Sequence, residues 1–151
     1  MLYTVAMRIK VWLVGTVENG ITQNHKFDAE GTVSRIILAP RYGRALDGIE
    51  SFSHIVVLFW LHKIKSKERE VVKVHPRRDI SIPLTGVFAT RSPVRPNPIG
   101  MTVVRLIKKE GKILTVKGLD AIDGTPVLDI KPHIPENLAQ TEIKVASWSK
   151  K

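Results

Sequence analysis

Two arginines, four residues apart in a loop stiffened by proline, are the first chemistry this sequence offers. Residues 91–100 read RSPVRPNPIG. Proline fixes φ and removes a backbone donor, so Pro93, Pro96 and Pro98 exclude a helix or a central strand here. What remains is an extended mount with little entropy left to lose. From it, Arg91 and Arg95 present rigid forks of donors that match phosphate or carboxylate and stack on bases. The same arginines could bridge to Asp120, Asp123 or Asp129, and both roles can hold, because carboxylates often orient ligand-binding arginines. Asn97 suits a turn, and its carboxamide could also bind an adenine edge.

The second chemical stretch is Asp120–Pro126, with Asp120 and Asp123 around a Gly-Thr-Pro turn and Asp129 beyond it. Asp123, directly before Gly124, suits an Asx turn that satisfies nearby amides. Asp129 alternates with Leu128 and Ile130: paired in the interior it is structural, open to a pocket it can accept a proton. His62 closes the apolar run Phe52–Leu61 beside Lys63, either as a half-exposed strand end or as a docking point for ligand. From 63 to 78, Lys63, Lys65, Lys67, Arg69, Lys73, Arg77 and Arg78 face only Glu68 and Glu70. This run is the best phosphate-contact candidate; its plain alternative is a solvated surface.

Composition narrows the classes. A chain of 151 residues, 43% hydrophobic, is long enough for one domain with its own core. The absence of cysteine removes disulfides, thiolate nucleophiles and cysteine-ligated metals together. The net charge of +10 points to a polyanionic partner, nucleic acid before membrane, since no basic amphipathic helix is evident. Ile55–Leu61 is too short to cross a bilayer, and MLYTVAMRIK lacks the pattern of a secretion signal, so a cytoplasmic protein is expected. There is no G-x-G-x-x-G, P-loop, H-E-x-x-H or G-x-S-x-G. The scattered His25, His54, His62, His75 and His133 argue against a metal site.

The elements that must position these residues read as strands. Arg8–Glu18 is rich in β-branched residues, and Asn19-Gly20 is a hairpin-turn signal. Thr32–Leu38 follows, then a turn or short helix over Arg41–Ile49, and the central strand Phe52–Leu61. Val71–Val74 could be a strand inside the basic run. Thr102–Ile107 and Ile113–Leu119 are joined by a turn around Gly111, with Pro126–Ile130 and Thr141–Trp148 as the last strands. Short strands at spacings near ten residues predict a mainly β fold, a barrel or sandwich, in a single domain over 1–151.

GVFATRSPVRPNPIG, followed by GLDAIDGTPVLDIKP, resembles the TsaA-like, TrmO-type family, and ALDGIESFSHIVVLFWLHK is similar to that family's central strand. The resemblance runs from about residue 33 to residue 135. It implies a single small β-barrel rather than a Rossmann methyltransferase. It also implies an S-adenosyl-L-methionine-dependent enzyme that methylates the exocyclic amine of threonylcarbamoyl-modified adenosine at tRNA position 37. A homodimer with the cofactor near the interface is implied too. Carried onto matching positions, the cofactor contacts are His62, Lys63, Arg91, Met101, Gly118, Leu119, Asp120 and Ala121. Arg95, Lys65, Lys67, Arg69, Arg77 and Arg78 would face tRNA. Asp129, Asp120 and His62 are the candidates for a catalytic base, and the sequence does not choose among them.

The N-terminus departs from the family pattern, with Gln23 the nearest match to a cofactor-touching glutamine. The chain also ends soon after the expected barrel, without the C-terminal extension of many bacterial members, which bears on tRNA recognition more than on cofactor binding. Two other readings stay open: a non-catalytic RNA-binding barrel, and a methyltransferase acting on another substrate.

Overall fold

Alternation decides the central strand. In His54–Trp60, Ile55, Val57 and Phe59 are buried while Val56, Leu58 and Trp60 stand on the outer side. That period of two is what a pleated strand with one face in a core requires. The computed structural model describes residues 9–23, 28, 31–135 and 142–150. Its strands are β1 (Gly15–Glu18), β2 (Val33–Leu38), β3 (His54–Trp60), β4 (Lys73–Val74), β5 (Thr85–Gly86), β6 (Ile99–Glu110), β7 (Ile113–Lys117) and β8 (Pro126–Pro132). Six of them close a barrel in the order β1-β2-β7-β6-β3-β8, and β4 pairs with β5 outside it. This is a mainly β, non-Rossmann fold. Among the described residues, no helix is long and apolar enough to cross a membrane.

The barrel interior is filled by Val17, Ile36, Ile55, Val57, Val104, Leu114, Val116 and Val127, with Leu119 and Ala121 packed into the same core. Each fully buried aliphatic side chain contributes about 1.5–3 kcal/mol relative to exposure. Gly100 sits opposite Phe59, and a Cβ there would overlap the Phe59 ring. That close approach is the reason the proline loop closes on glycine.

Every pairing in the barrel is antiparallel. The C-terminal ends of β1, β3 and β7 therefore share one rim with the N-terminal ends of β2, β6 and β8. β6 is the corner of the barrel. Its residues Ile99–Arg105 pair with β3 and Arg105–Glu110 pair with β7, with a register shift between Leu106 and Lys108. It runs longer than Thr102–Ile107 because β3 supplies partners from Ile99 onward and the Gly111 turn lets Glu110 pair with Ile113.

Three expectations are corrected. Asn19-Gly20 is not a tight hairpin, since β1 ends at Glu18 and its partner β2 begins only at Val33. The first strand covers Gly15–Glu18 rather than Arg8–Glu18: Ile9, Val11, Trp12 and Leu13 are exposed, and Arg8 lies outside the described residues. No strand forms over 142–148, where Ile143 is 64% exposed and Ser147–Ser149 is a 3-10 turn; Thr141 lies outside the described residues. The physical reason is burial: Ile143 and Val145 stay exposed, so the alternating side chains cover no core face. Val71–Val74 is a strand only at Lys73–Val74, which pairs with Thr85–Gly86.

Candidate functional site

The rim gathers the chemistry. It carries the turn after β3, the proline loop before β6, the 118–125 loop between β7 and β8, and the segment after β1. The turn after β3 is fastened to the proline loop by the Leu61 amide, which donates to the Pro98 carbonyl at 2.8 Å. His62 follows, half-buried, with its Nδ1 fully buried and, among the described residues, without a hydrogen-bond partner. Burial first, and the Lys63 charge second, push the His62 imidazolium below its ordinary pKa, which favours the neutral ring.

The proline loop holds itself. The Ser92 amide donates to Thr90 Oγ1 and the Val94 amide to Ser92 Oγ. Arg95 Nη1 donates to the Thr90 and Ser92 carbonyls, both at 3.3 Å. Arg69 reaches in from the basic run, donating Nε to the Pro96 carbonyl at 2.8 Å while its guanidinium lies 5.4 Å from the Trp60 ring centre. Arg95 and Arg69, expected to face tRNA, thus brace the loop. Lys63, Lys65, Lys67, Arg77, Arg78 and Arg91 are exposed, and Arg91 lines a groove together with Arg77 and Arg78.

The 118–125 loop is built differently. Gly118 takes φ of 89°, a left-handed turn that glycine enters without steric cost. Leu119 and Ala121 then point into the core. The loop's outer side is tied to the segment after β1. Asp123 Oδ1 accepts the Asn19 amide at 2.8 Å and the Gly20 amide at 3.0 Å. Asn19 Nδ2 donates to the Ala121 carbonyl at 2.8 Å and to Ser34 Oγ at 3.0 Å. Asp123 does satisfy backbone amides, but distant ones, and its carboxyl is held below its usual pKa by those of Asn19 and then Gly20. Asn19 is the residue that sequence reading missed, because its local turn signal concealed a tertiary role. Gln23 is exposed on the same segment.

The three carboxylate and imidazole candidates are now distinguishable. Asp120 is exposed as a residue, yet protein around its carboxyl pushes the pKa up, and among the described residues nothing pairs with it. Asp129 lies opposite Leu58 on one side, as Met101 does on the other, so the three form a row on the outer wall. Its Oδ2 is 2.6 Å from Lys131 Nζ and its Oδ1 accepts the Ile130 amide. Met101 is 53% exposed. Among the described residues there is no group of three or more His, Cys, Asp or Glu that could hold a metal ion.

Fold and site together define a class: a small closed β-barrel with its candidate functional loops on one rim, unrelated to doubly wound methyltransferase sheets. The tRNA-methyltransferase O N-terminal domain family matches residues 18–137, and the chain belongs to that family. A probable S-adenosyl-L-methionine-binding protein of Methanothermobacter thermautotrophicus is 45% identical over 131 residues, covering 84% of this chain and 91% of that one. The Mus musculus tRNA (adenine(37)-N6)-methyltransferase is 49% identical over 100 residues, covering 63% of this chain and 23% of that protein. The crystal structure of TrmO from Pseudomonas aeruginosa superposes with a TM-score of 0.71 at 33% identity, covering 93% of this chain and 63% of that one. The chain thus spans most of the Methanothermobacter relative but less than two thirds of the solved TrmO, and 62% of a Pyrococcus abyssi relative.

Proposed function

We propose that the chain is an S-adenosylmethionine-dependent tRNA methyltransferase, with threonylcarbamoyl-modified adenosine at position 37 as its substrate. The observation that carries this reading is the convergence of His62, the proline loop and Gly118–Ala121 on one rim in a chain of this family. The buried, unpartnered His62 Nδ1 fits a ligand that hydrogen-bonds there, since leaving such an atom unpaired costs about 1–3 kcal/mol. His62, Lys63, Arg91, Met101, Gly118, Leu119, Asp120 and Ala121 would hold the cofactor, with the 118–121 segment acting through its backbone groups. Bound there, S-adenosylmethionine supplies an electrophilic methyl group on a sulfonium.

The chain's own task is alignment of the acceptor nitrogen for an in-line displacement. An adenine amine is a weak nucleophile because its lone pair is delocalised, so removing its proton helps. Asp120 takes that role in this reading, because its carboxylate is unpartnered and made more basic by burial. Asp129 is engaged by Lys131 and the Ile130 amide. His62 is reserved for the cofactor.

The active form in this reading is a cytoplasmic homodimer of single-domain chains. Ile99, Met101 and Val103 are exposed on β6, and above Arg105 that strand pairs with β3 alone. A second copy on this face would bring its own β6 beside the site. Light scattering tests it, with Val103→Glu expected to shift the dimer to monomer.

The direct test incubates the protein with S-adenosylmethionine and tRNA carrying the threonylcarbamoyl modification, then weighs the digested nucleosides. One added methyl on the modified adenosine is the expected result. Cofactor binding without that product would move the reading to another substrate. The excess of positive charge over residues 63–78 favours one alternative, a non-catalytic RNA-binding barrel, which requires tRNA binding with no cofactor affinity at all.

A further inference from the structure

Beside the rim lies a groove of about 990 Å³, walled by the turn at 75–78, the start of the proline loop and residues 145–149. His75, Arg77, Arg78 and Arg91 line it, together with Phe88 and Trp148, and among the described residues no acidic side chain does. Asp79, next in sequence, is occupied: its Oδ1 accepts the Ser81 amide at 2.9 Å and the Ser81 hydroxyl at 2.6 Å. Phe88 is 80% exposed, so core packing does not explain it.

The turn is strained in a way that keeps its arginines together. Arg77 and Arg78 have φ of 57° and 60°, a left-handed conformation costing about 1–2 kcal/mol per residue without glycine. It is held by the Arg78 amide on the His75 carbonyl and the Asp79 amide on the Pro76 carbonyl. The His75 ring is fixed in turn, its Nδ1 lying 2.7 Å from the Ile82 carbonyl. Backbone strain of this kind gathers at functional sites. Arg77 also spans the groove, donating to the Lys150 carbonyl at 3.3 Å and so fastening the wall that bears Trp148.

Cations without acids ask for a polyanion, and two aromatic rings among them ask for flat, stackable groups. A duplex would meet the arginines and leave the rings idle. Single-stranded RNA meets both, with phosphates on guanidinium groups and bases on aromatic faces. We infer that this groove binds single-stranded RNA, with Trp148 and Phe88 as stacking platforms and Arg77 and Arg78 as phosphate contacts. The inference deepens the tRNA methyltransferase reading and rests on it for the RNA partner. It gives Arg91 a place between the RNA groove and the proposed cofactor site.

The test measures fluorescence anisotropy of a labelled, unstructured oligouridylate of about ten nucleotides, across a salt series. Trp148→Ala is expected to weaken binding about five- to a hundredfold, with Trp148→Phe restoring most of it. Arg77→Gln with Arg78→Gln is expected to lower the log–log salt slope by about 0.7 for each phosphate no longer neutralised. Phe88→Ser provides a second variant that leaves the fold intact because the side chain is already exposed. Calorimetric titration with S-adenosylmethionine runs in parallel. If cofactor binding persists and all these variants hold the oligonucleotide like wild type, the groove assignment is overturned and the methyltransferase reading survives. Equal affinity for the same strand in a duplex overturns the stacking role. Loss of cofactor binding in the unmodified chain instead defeats the enzyme reading.

Discussion

The two rim loops reach rigidity by opposite routes. The 91–100 loop is stiff before it folds, because three prolines have already removed conformations, and Arg95 then closes over the Thr90 and Ser92 carbonyls. The 118–125 loop has a single proline-free turn and relies on partners far away in sequence. Leu119 is anchored in the core, and Asn19 and Gly20 hold its outer side from roughly a hundred residues upstream. A loop rigid by covalent structure can survive local damage elsewhere. A loop rigid by tertiary bonds reports on the condition of the whole barrel.

This contrast can be broken at several points. Asp120→Asn should lower methyl transfer about 10²–10⁴-fold with cofactor binding retained, whereas Asp129→Asn should leave the rate near wild type; single-turnover kinetics separates them. Leu119→Ala should cost about 2–5 kcal/mol of stability, read from the denaturant midpoint, because a fully buried leucine leaves a cavity. Asn19→Ala should cost about 1–3 kcal/mol by leaving the Ala121 carbonyl unpaired, and should weaken S-adenosylmethionine binding in calorimetry.

The Asp123 carboxyl, held below its ordinary pKa, stabilises the fold above the unfolded value of about 3.9 and loses that contribution as pH falls through its folded value. The stability gap between wild type and Asp123→Asn should therefore close in acid unfolding below about pH 4. Pro96→Ala in the other loop should cost least, about 0.4–1 kcal/mol, since it acts through the unfolded chain. A larger loss there than at Asn19 would reverse the comparison.

The sequence made the first loop legible because its stiffness is written locally, in proline. β3 was legible too, as the most apolar run of the chain, although which of its residues face inward became visible only in the structure. The second loop was visible only as a motif. Nothing local says that Asn19 will serve Ala121 and Asp123, and the same Asn-Gly pair carries the stronger signal of a two-residue hairpin. The strand expected over Thr141–Trp148 failed for a related reason. Its alternation is real, but once six other strands have closed the barrel around its core, Ile143 and Val145 have no buried face left to cover, and closure is a global property that no window of sequence contains.

That closure has a consequence for how the chain acquires activity. Gly15 finds its β8 partner, Val127, only after more than a hundred further residues have been made. Contacts of such long sequence separation form late and slowly. The Asn19 latch depends on the same meeting, so a chain emerging from the ribosome has its proline loop in hand before it has a finished rim. A ligand that binds only the finished rim then stabilises only completed molecules, by mass action. Cofactor level would thereby set how much newly made protein persists as well as how fast it works.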